Sequence, residues 1–172
     1  MRFTVYLAAA AATLAVAGPA VAQQASANAL AKGVVVQPLT LAKVKDLDFG
    51  TVVGSAVAGN VTINADTGGR TVGGGVTAVP SYPGGRGLFQ GAGTAGQTVQ
   101  LQLSPPAVLV SQTNPLDLIA VNSMVLDSGN STTRVIGLSG SFDVGVGGDF
   151  AIAANQPAAL YLATFTLTAD YQ

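Results

Sequence analysis

Residues 161–171, YLATFTLTADY, alternate between apolar and polar side chains more regularly than the rest of this 172-residue chain. A period of two predicts a β-strand with one buried face and one solvated face. We therefore expect a single strand over this stretch, at the end of the domain. Its buried face would carry Tyr161, Ala163, Phe165, Leu167, Ala169 and Tyr171.

Shorter runs of the same kind recur along the chain, separated by Gly, Pro, Asp and Asn. Residues 98–103 alternate cleanly, residues 136–146 place Leu138 on the buried parity, and Gly147-Gly148 is typical of a two-residue hairpin turn. This pattern predicts an all-β fold, an immunoglobulin-like antiparallel β-sandwich of about nine or ten strands. The predicted strands cover residues 34–41, 46–53, 60–64, 71–79, 88–90, 98–103, 124–126, 136–146, 149–153 and 161–171.

The first 22 residues have the three parts of a bacterial export signal. Arg2 supplies the positive charge, residues 3–17 are apolar, and Ala20 and Ala22 form the small-residue cleavage site, so Gln23 would be the new N-terminus. No later apolar run approaches the ~20 residues that a spanning helix needs. We expect an exported protein of the periplasm, cell surface or extracellular space, with no membrane span after cleavage.

The composition argues against an enzyme. The chain has no Cys, His or Trp, its eight acidic residues are all Asp, and only 9% of its residues are charged. These absences exclude Ser-His-Asp and cysteine nucleophiles and the usual zinc ligands. The few basic residues are scattered, whereas nucleic-acid binding requires clustered positive charge. We expect no catalytic residues, no cofactor and no nucleic-acid partner.

Three motifs have both a functional and a structural interpretation. Residues 91–96, GAGTAG, match a dinucleotide-binding pattern, but the following segment alternates like a strand, which favours a glycine-rich loop. Asp143 and Asp149 could share a cation across the predicted hairpin, or simply flank a turn. Asp46 and Asp48 share a strand parity and could form a carboxylate pair, or solvate the exposed side of that strand.

Residues 23–33 are predicted to form a flexible arm that precedes a single β-sandwich domain over residues 34–172. An extended arm of this kind can add as a strand to the open sheet edge of another subunit. The alternative is a loosely docked terminus. The candidate donor side chains are Ala25, Ala27, Ala29 and Ala31, followed after a one-residue shift by Val34 and Val36.

Several segments resemble the DUF4402 domain family over about residues 30–172. They are residues 36–41 (VQPLTL), 47–52 (LDFGTV), 140–148 (GSFDVGVGG) and 161–172. The family is similar in style to chaperone–usher pilus subunits and spore-coat-U-like proteins, which have immunoglobulin-like sandwiches. The resemblance implies assembly with identical or related subunits and presentation of the last strand to a periplasmic chaperone. It carries no catalytic residues.

These observations lead to two hypotheses about function. The first is a secreted structural or surface protein, such as a fimbrial subunit, that assembles by strand addition. Its assembly residues would be those of the arm and, on the last strand, Tyr161, Phe165, Leu167 and Tyr171. The second is a self-contained binding module that recognises a glycan or a protein through loops at residues 81–87 or 114–118.

Overall fold

The computed structural model describes residues 24–172, and residues Val35–Gln172 form a compact unit that holds every described strand. Short antiparallel strands make up the unit, so the predicted all-β sandwich is confirmed. The described elements are β1 (Thr40–Lys45), β2 (Val52–Val53), β3 (Gly59–Ile63), β4 (Arg70–Gly74), β5 (Thr77–Ala78), β6 (Gly87–Ala92), β7 (Thr98–Ser104), β8 (Val108–Ser111), β9 (Leu118–Leu126), α1 (Asp127–Asn130), β10 (Thr133–Val135), β11 (Ser141–Ile152), β12 (Tyr161–Leu162) and β13 (Thr166–Tyr171).

The described strands form three sheets, and every pairing is antiparallel. The largest sheet has the order β1-β6-β11-β9-β8-β12, and β3 lies beside the second half of β11 and carries β4. The second sheet has the order β10-β7-β13, and the third contains β2 and β5. The twelve-residue β11 is central because β6 and β3 follow one another along one side of it and β9 lies on the other.

Two apolar clusters form the core. The first lies where the three-stranded sheet covers the large sheet, and the alternation predicted for residues 98–103 is confirmed there by Val99 and Leu101, which are both buried. The second lies under β3, β8, β9 and the end of β11, where its partly buried covering residues, such as Phe49 and Ala159, belong to irregular segments. The sandwich therefore has a regular second layer over only one of its two clusters.

Gly145 and Gly147 let the chain that follows β3 cross the face of β11 opposite the core. A Cβ on Gly147 would overlap the carbonyl oxygen of Ile63, and one on Gly145 would overlap that of Ala65. Glycine inside a strand commonly marks such a close backbone approach. The hairpin predicted at Gly147-Gly148 is therefore wrong, because both glycines lie inside one continuous strand.

The strand predicted over residues 136–146 begins only at Ser141. The chain turns before it, with Gly140 at φ 77° and its N–H donating to the carbonyl of Gly137 at 2.9 Å. Ile136 is buried, but Leu138 is 99% exposed, so the common buried face expected for these two residues is wrong.

The last predicted strand divides between two sheets. Tyr161 in β12 pairs with β8 of the large sheet, whereas Leu167 and Tyr171 in β13 pair with β7 of the three-stranded sheet. Phe165 lies at the crossing and packs edge-on against Phe89, with ring centroids 5.8 Å apart. The side chains predicted to face the core are buried or half-buried on both sides of the crossing, except Ala163, which is exposed. The prediction of a single continuous strand is wrong.

Residues 24–39 contain no helix or strand, so the strand predicted at residues 34–41 is displaced to β1. Pro38 lacks the N–H that a ladder would use, which is consistent with this late start. The strand predicted at residues 46–53 is reduced to β2 and an isolated bridge between Asp48 and Gly85. The predicted signal peptide lies outside the described residues.

Candidate functional site

The outer edge of β13 has no strand beside it among the described residues. The N–H of Gln172 donates to the carbonyl oxygen of Thr98 at 3.0 Å. The even-numbered residues of β13 are therefore the ones whose main-chain groups bond to β7. Because hydrogen-bonded pairs alternate along an antiparallel ladder, the main-chain groups of Leu167, Ala169 and Tyr171 point away from β7. These groups form an open edge, the feature to which an added strand bonds.

One end of this open edge is closed by a side-chain contact. The hydroxyl of Tyr171 accepts a hydrogen bond from the N–H of Thr94 and donates one to the carbonyl oxygen of Gln37, both at 2.8 Å. These bonds hold the chain before β1 against the end of β13. The accessible part of the edge is therefore at Leu167 and Ala169.

An apolar groove of about 1100 Å³ lies in the irregular part of the second layer. Its walls are residues 46–54 and 156–165, and it reaches Phe165, two residues before the open edge begins. The floor is the large sheet, through Leu109, Ile119, Phe150 and Ile152. The groove therefore lies beside the segment that leads into β13.

Two polar side chains at the groove, Gln156 and Tyr161, bind to each other and to the main chain. Gln156 Nε2 donates to the Tyr161 hydroxyl at 2.9 Å and to the carbonyl oxygen of Leu118 at 3.2 Å. The Tyr161 hydroxyl donates in turn to the carbonyl oxygen of Pro157 at 2.7 Å. An occupant of the groove would thus be held by apolar contact and by the main chain of the open edge.

A family model described as a domain of unknown function, DUF4402, matches residues 39–171. The chain belongs to the DUF4402 family. The match includes both the open edge and the groove, and it begins after residues 24–38. No curated protein and no solved structure matches this DUF4402 chain.

Asp46 and Asp48 of the DUF4402 domain line one wall of the groove, but they are used separately. Asp46 pairs with Lys43 at 2.5 Å on the surface. Asp48 Oδ1 accepts the N–H of Gly50 at 2.7 Å, which closes a tight turn. The two carboxylates therefore serve local structure in the wall.

Asp143 and Asp149 of the DUF4402 domain are too far apart to hold one cation. They are six positions apart in one continuous strand, a distance of about 20 Å. Among residues 24–172, no group of three or more acidic side chains could hold a metal ion. The hypothesis of a shared cation fails because it depended on the incorrect hairpin.

Asp149 is instead the centre of a hydrogen-bonded cluster on the sheet surface. Its carboxylate accepts bonds from Asn60 Nδ2 at 2.7 Å and from Thr62 Oγ1 and Asn122 Nδ2, each at 2.5 Å. Burial raises the pKa of Asp149, but the hydrogen bonds from Thr62, Asn122 and Asn60 outweigh it and hold this pKa below its ordinary value. The charged carboxylate thus links β3, β11 and β9.

The arginines of the DUF4402 domain are bound within the fold, and Arg70 is the clearest case. Its Nη1 donates to the carbonyl oxygens of Phe49, Thr51 and Tyr82, at 3.2, 3.0 and 3.0 Å. Its Nη2 donates to the carbonyl oxygen of Val79 at 2.9 Å. One side chain thus fastens the wall of the groove to the chain that follows β5.

The two predicted recognition loops differ in how they present side chains. In residues 81–87, the bridge between Asp48 and Gly85 and the bond to Arg70 hold the main chain, while Tyr82 is 66% exposed. In residues 114–118, Leu116 is 85% exposed at the tip of the β8–β9 connection. The first loop therefore offers one large exposed side chain, and the second offers two, because Leu118 is also 44% exposed.

The structure divides the predicted assembly residues of the last strand between two sheets and pairs none of the predicted donor residues with a strand. The predicted face of Tyr161, Phe165, Leu167 and Tyr171 is buried or half-buried along the groove and the edge. The donor residues Ala25, Ala27, Ala29, Ala31, Val34 and Val36 are exposed and lie outside any strand. The predicted cleavage residues Ala20, Ala22 and Gln23 lie outside the described residues.

Sequence reasoning missed the groove itself. The sequence predicts a strand at residues 46–53 and only the end of β9, so it does not identify Ile119 as part of the floor. The apolar run at residues 118–121, LIAV, was the available signal for a longer β9.

Within residues 24–172, no helix is long and apolar enough to cross a membrane.

Proposed function

We propose that this protein is an exported bacterial structural subunit that assembles at the cell surface by strand addition. The acceptor is the open edge of β13 together with the adjoining groove. The donor is an extended arm from an identical or related subunit, and a periplasmic chaperone covers the acceptor before assembly. The observation that carries the proposal is the coincidence of an unpaired strand edge and an unfilled apolar groove in one half-covered sandwich.

The open edge supports the proposal through main-chain hydrogen bonding. A strand placed beside β13 could pair with the outward N–H and C=O groups of Leu167 and Ala169. Towards the start of β13, such a strand would meet the groove at Phe165. Main-chain bonds would give affinity, and alternate apolar side chains entering the groove would give register.

A second candidate function is a self-contained module that binds a glycan or a protein. The exposure of Tyr82 and Leu116 at the two loops predicted for recognition favours it. Such a module would have no need of the arm or the open edge. The two functions therefore predict different effects of changes at β13.

The decisive experiment compares unboiled and boiled surface extracts of the full chain on a denaturing gel. Strand-linked subunits should give a ladder that collapses to the mature monomer on boiling. Ala169→Pro removes an outward N–H and places ring atoms at the edge, while the bonds of its neighbours to β7 remain. This variant should give only monomer, whereas Thr168→Ala, which alters the solvated face, should keep the ladder.

Circular dichroism and thermal melting of the Ala169→Pro monomer distinguish a blocked edge from an unfolded chain. A folded variant that still forms the ladder would overturn the proposal. A wild-type chain that is monomeric in both lanes would overturn it as well, and would direct attention to the two loops. If Ala169→Pro does not fold, deletion of residues 24–33 provides the same comparison without altering β13.

A further inference from the structure

We infer that the groove takes residues 30–36 of a second copy of this chain, with Leu30, Val34 and Val36 directed inward. The inference rests on the strand-addition function proposed above and names the donor and its inserted face. It keeps Val34 and Val36 from the sequence prediction, but places Leu30 rather than the preceding alanines on the inserted face.

The exposure of the donor side chains supports this choice. Leu30 is 93% exposed and Val34 is 69% exposed, and both lie outside any strand. In an extended chain, even-numbered residues share one face, so Leu30 and Val34 enter the groove together with Val36. Within residues 30–36 the opposite face carries Ala31, Gly33 and Val35, and Val35 is 97% exposed. That face has one large apolar side chain against three on the face of Leu30, so it would bury less apolar area.

The dimensions of the groove favour a strand over a small molecule. Its volume of about 1100 Å³ lies above the roughly 300–1,000 Å³ of typical small-molecule sites. Seven extended residues span about 23 Å. The apolar floor matches the apolar side chains of the donor.

Charge complementarity sets the position of the donor. Lys32 lies between Leu30 and Val34 on the inserted face, so it must reach the rim of the groove. The wall at residues 46–54 carries two carboxylates there, and the Asp46 side chain is 76% exposed. We assign Asp46 as the partner of Lys32, which replaces the exposed pairing with Lys43.

Single charges introduced on each face of the donor test which face enters. Leu30→Asp and Val34→Asp should each lower the multimeric fraction of the full chain on unboiled gels at least tenfold. Ala31→Asp and Val35→Asp, their matched neighbours on the opposite face, should leave it within about twofold of wild type. The reverse pattern would overturn the inserted face while leaving strand addition intact.

A charge swap tests the position. Lys32→Asp and Asp46→Lys should each reduce the ladder severalfold, and the double variant should restore it, because every copy then carries both changes. Lys45→Asp combined with Asp46→Lys is the control that should not restore it. Failure of the double variant to recover would overturn the assigned pairing.

Two further outcomes separate this inference from the proposed function. A ladder unaffected by all four aspartate variants would mean that another segment is the donor, which overturns the inference alone. The absence of a ladder in wild type would overturn both. The chain contains no cysteine, so a Val34→Cys, Val53→Cys variant adds an independent measurement: an oxidant-dependent dimer supports the inference, and its absence in a chain that forms ladders contradicts it.

Discussion

Replacement of Arg70 should destabilise the fold by breaking the link between the wall of the groove and the chain after β5. The guanidinium makes four hydrogen bonds to carbonyl oxygens, and a bond with a charged partner contributes ~1.5–3 kcal/mol. The four bonds share one side chain, and the freed carbonyls regain some water. We therefore expect Arg70→Met to lower the free energy of unfolding by about 3 kcal/mol, the contribution of about two such bonds.

For a domain of about 150 residues, this loss corresponds to a fall in Tm of roughly 6–12 °C. Thermal and urea unfolding followed by circular dichroism would measure it. Arg70→Lys keeps the charge, but a single ammonium cannot reach four carbonyls, so it should lose most of the same stability. Lys45→Met, which removes an exposed charge from β1, is the control and should change little. An Arg70→Lys protein with the same Tm as wild type would refute the reasoning.

Three other predictions concern acid stability, the close packing of β11 and export. Because the pKa of Asp149 is lowered in the fold, its charge stabilises the protein above the unfolded value of about 3.9, and this contribution is lost as pH falls through the lower folded value. Urea titrations should therefore show that Asp149→Ala is less stable than wild type at pH 7 and that the difference in unfolding free energy shrinks near pH 3. A difference that stays constant with pH would contradict this. Gly147→Ala should lower the free energy of unfolding by about 2 kcal/mol or more, because its Cβ would overlap the main chain. Gly33→Ala is the control and should have the Tm of wild type, because a Cβ there would have no atom within 4 Å. The intact mass of the exported protein should correspond to a chain that begins at Gln23, and a mass that retains Met1 would exclude cleavage.

The sequence allowed prediction of those features that depend on local alternation. Residues 98–103 became β7 with little change, and the parity of the last strand survived its division between two sheets. Alternation reports which side chains face the core, and both sheets present the same parity to it at Tyr161 and Leu167. The fold class and the buried parity of the last strand followed from this signal.

Long-range packing explains the features that could not be predicted. The crossing at Phe165 depends on its contact with Phe89, and the glycines of β11 depend on a chain segment about 80 residues earlier, near Ile63 and Ala65. A local pattern reads Gly147-Gly148 as a turn because it contains no information about that segment. The groove has the same origin, since its walls and floor come from distant parts of the chain.

The selection of β13 as acceptor follows from a comparison of the sheet edges among the described strands. The edge of β1 carries Lys43 and Lys45 and an irregularity in register between them, and these features discourage pairing with another strand. The edge strands β10 and β12 have only three and two residues, and β4 ends in Gly73-Gly74. The six-residue β13 has none of these protections along its accessible part, and the segment that leads into it lines the groove at Phe165. A protein that blocks its other edges and leaves this one open beside an apolar groove has the arrangement that strand addition requires.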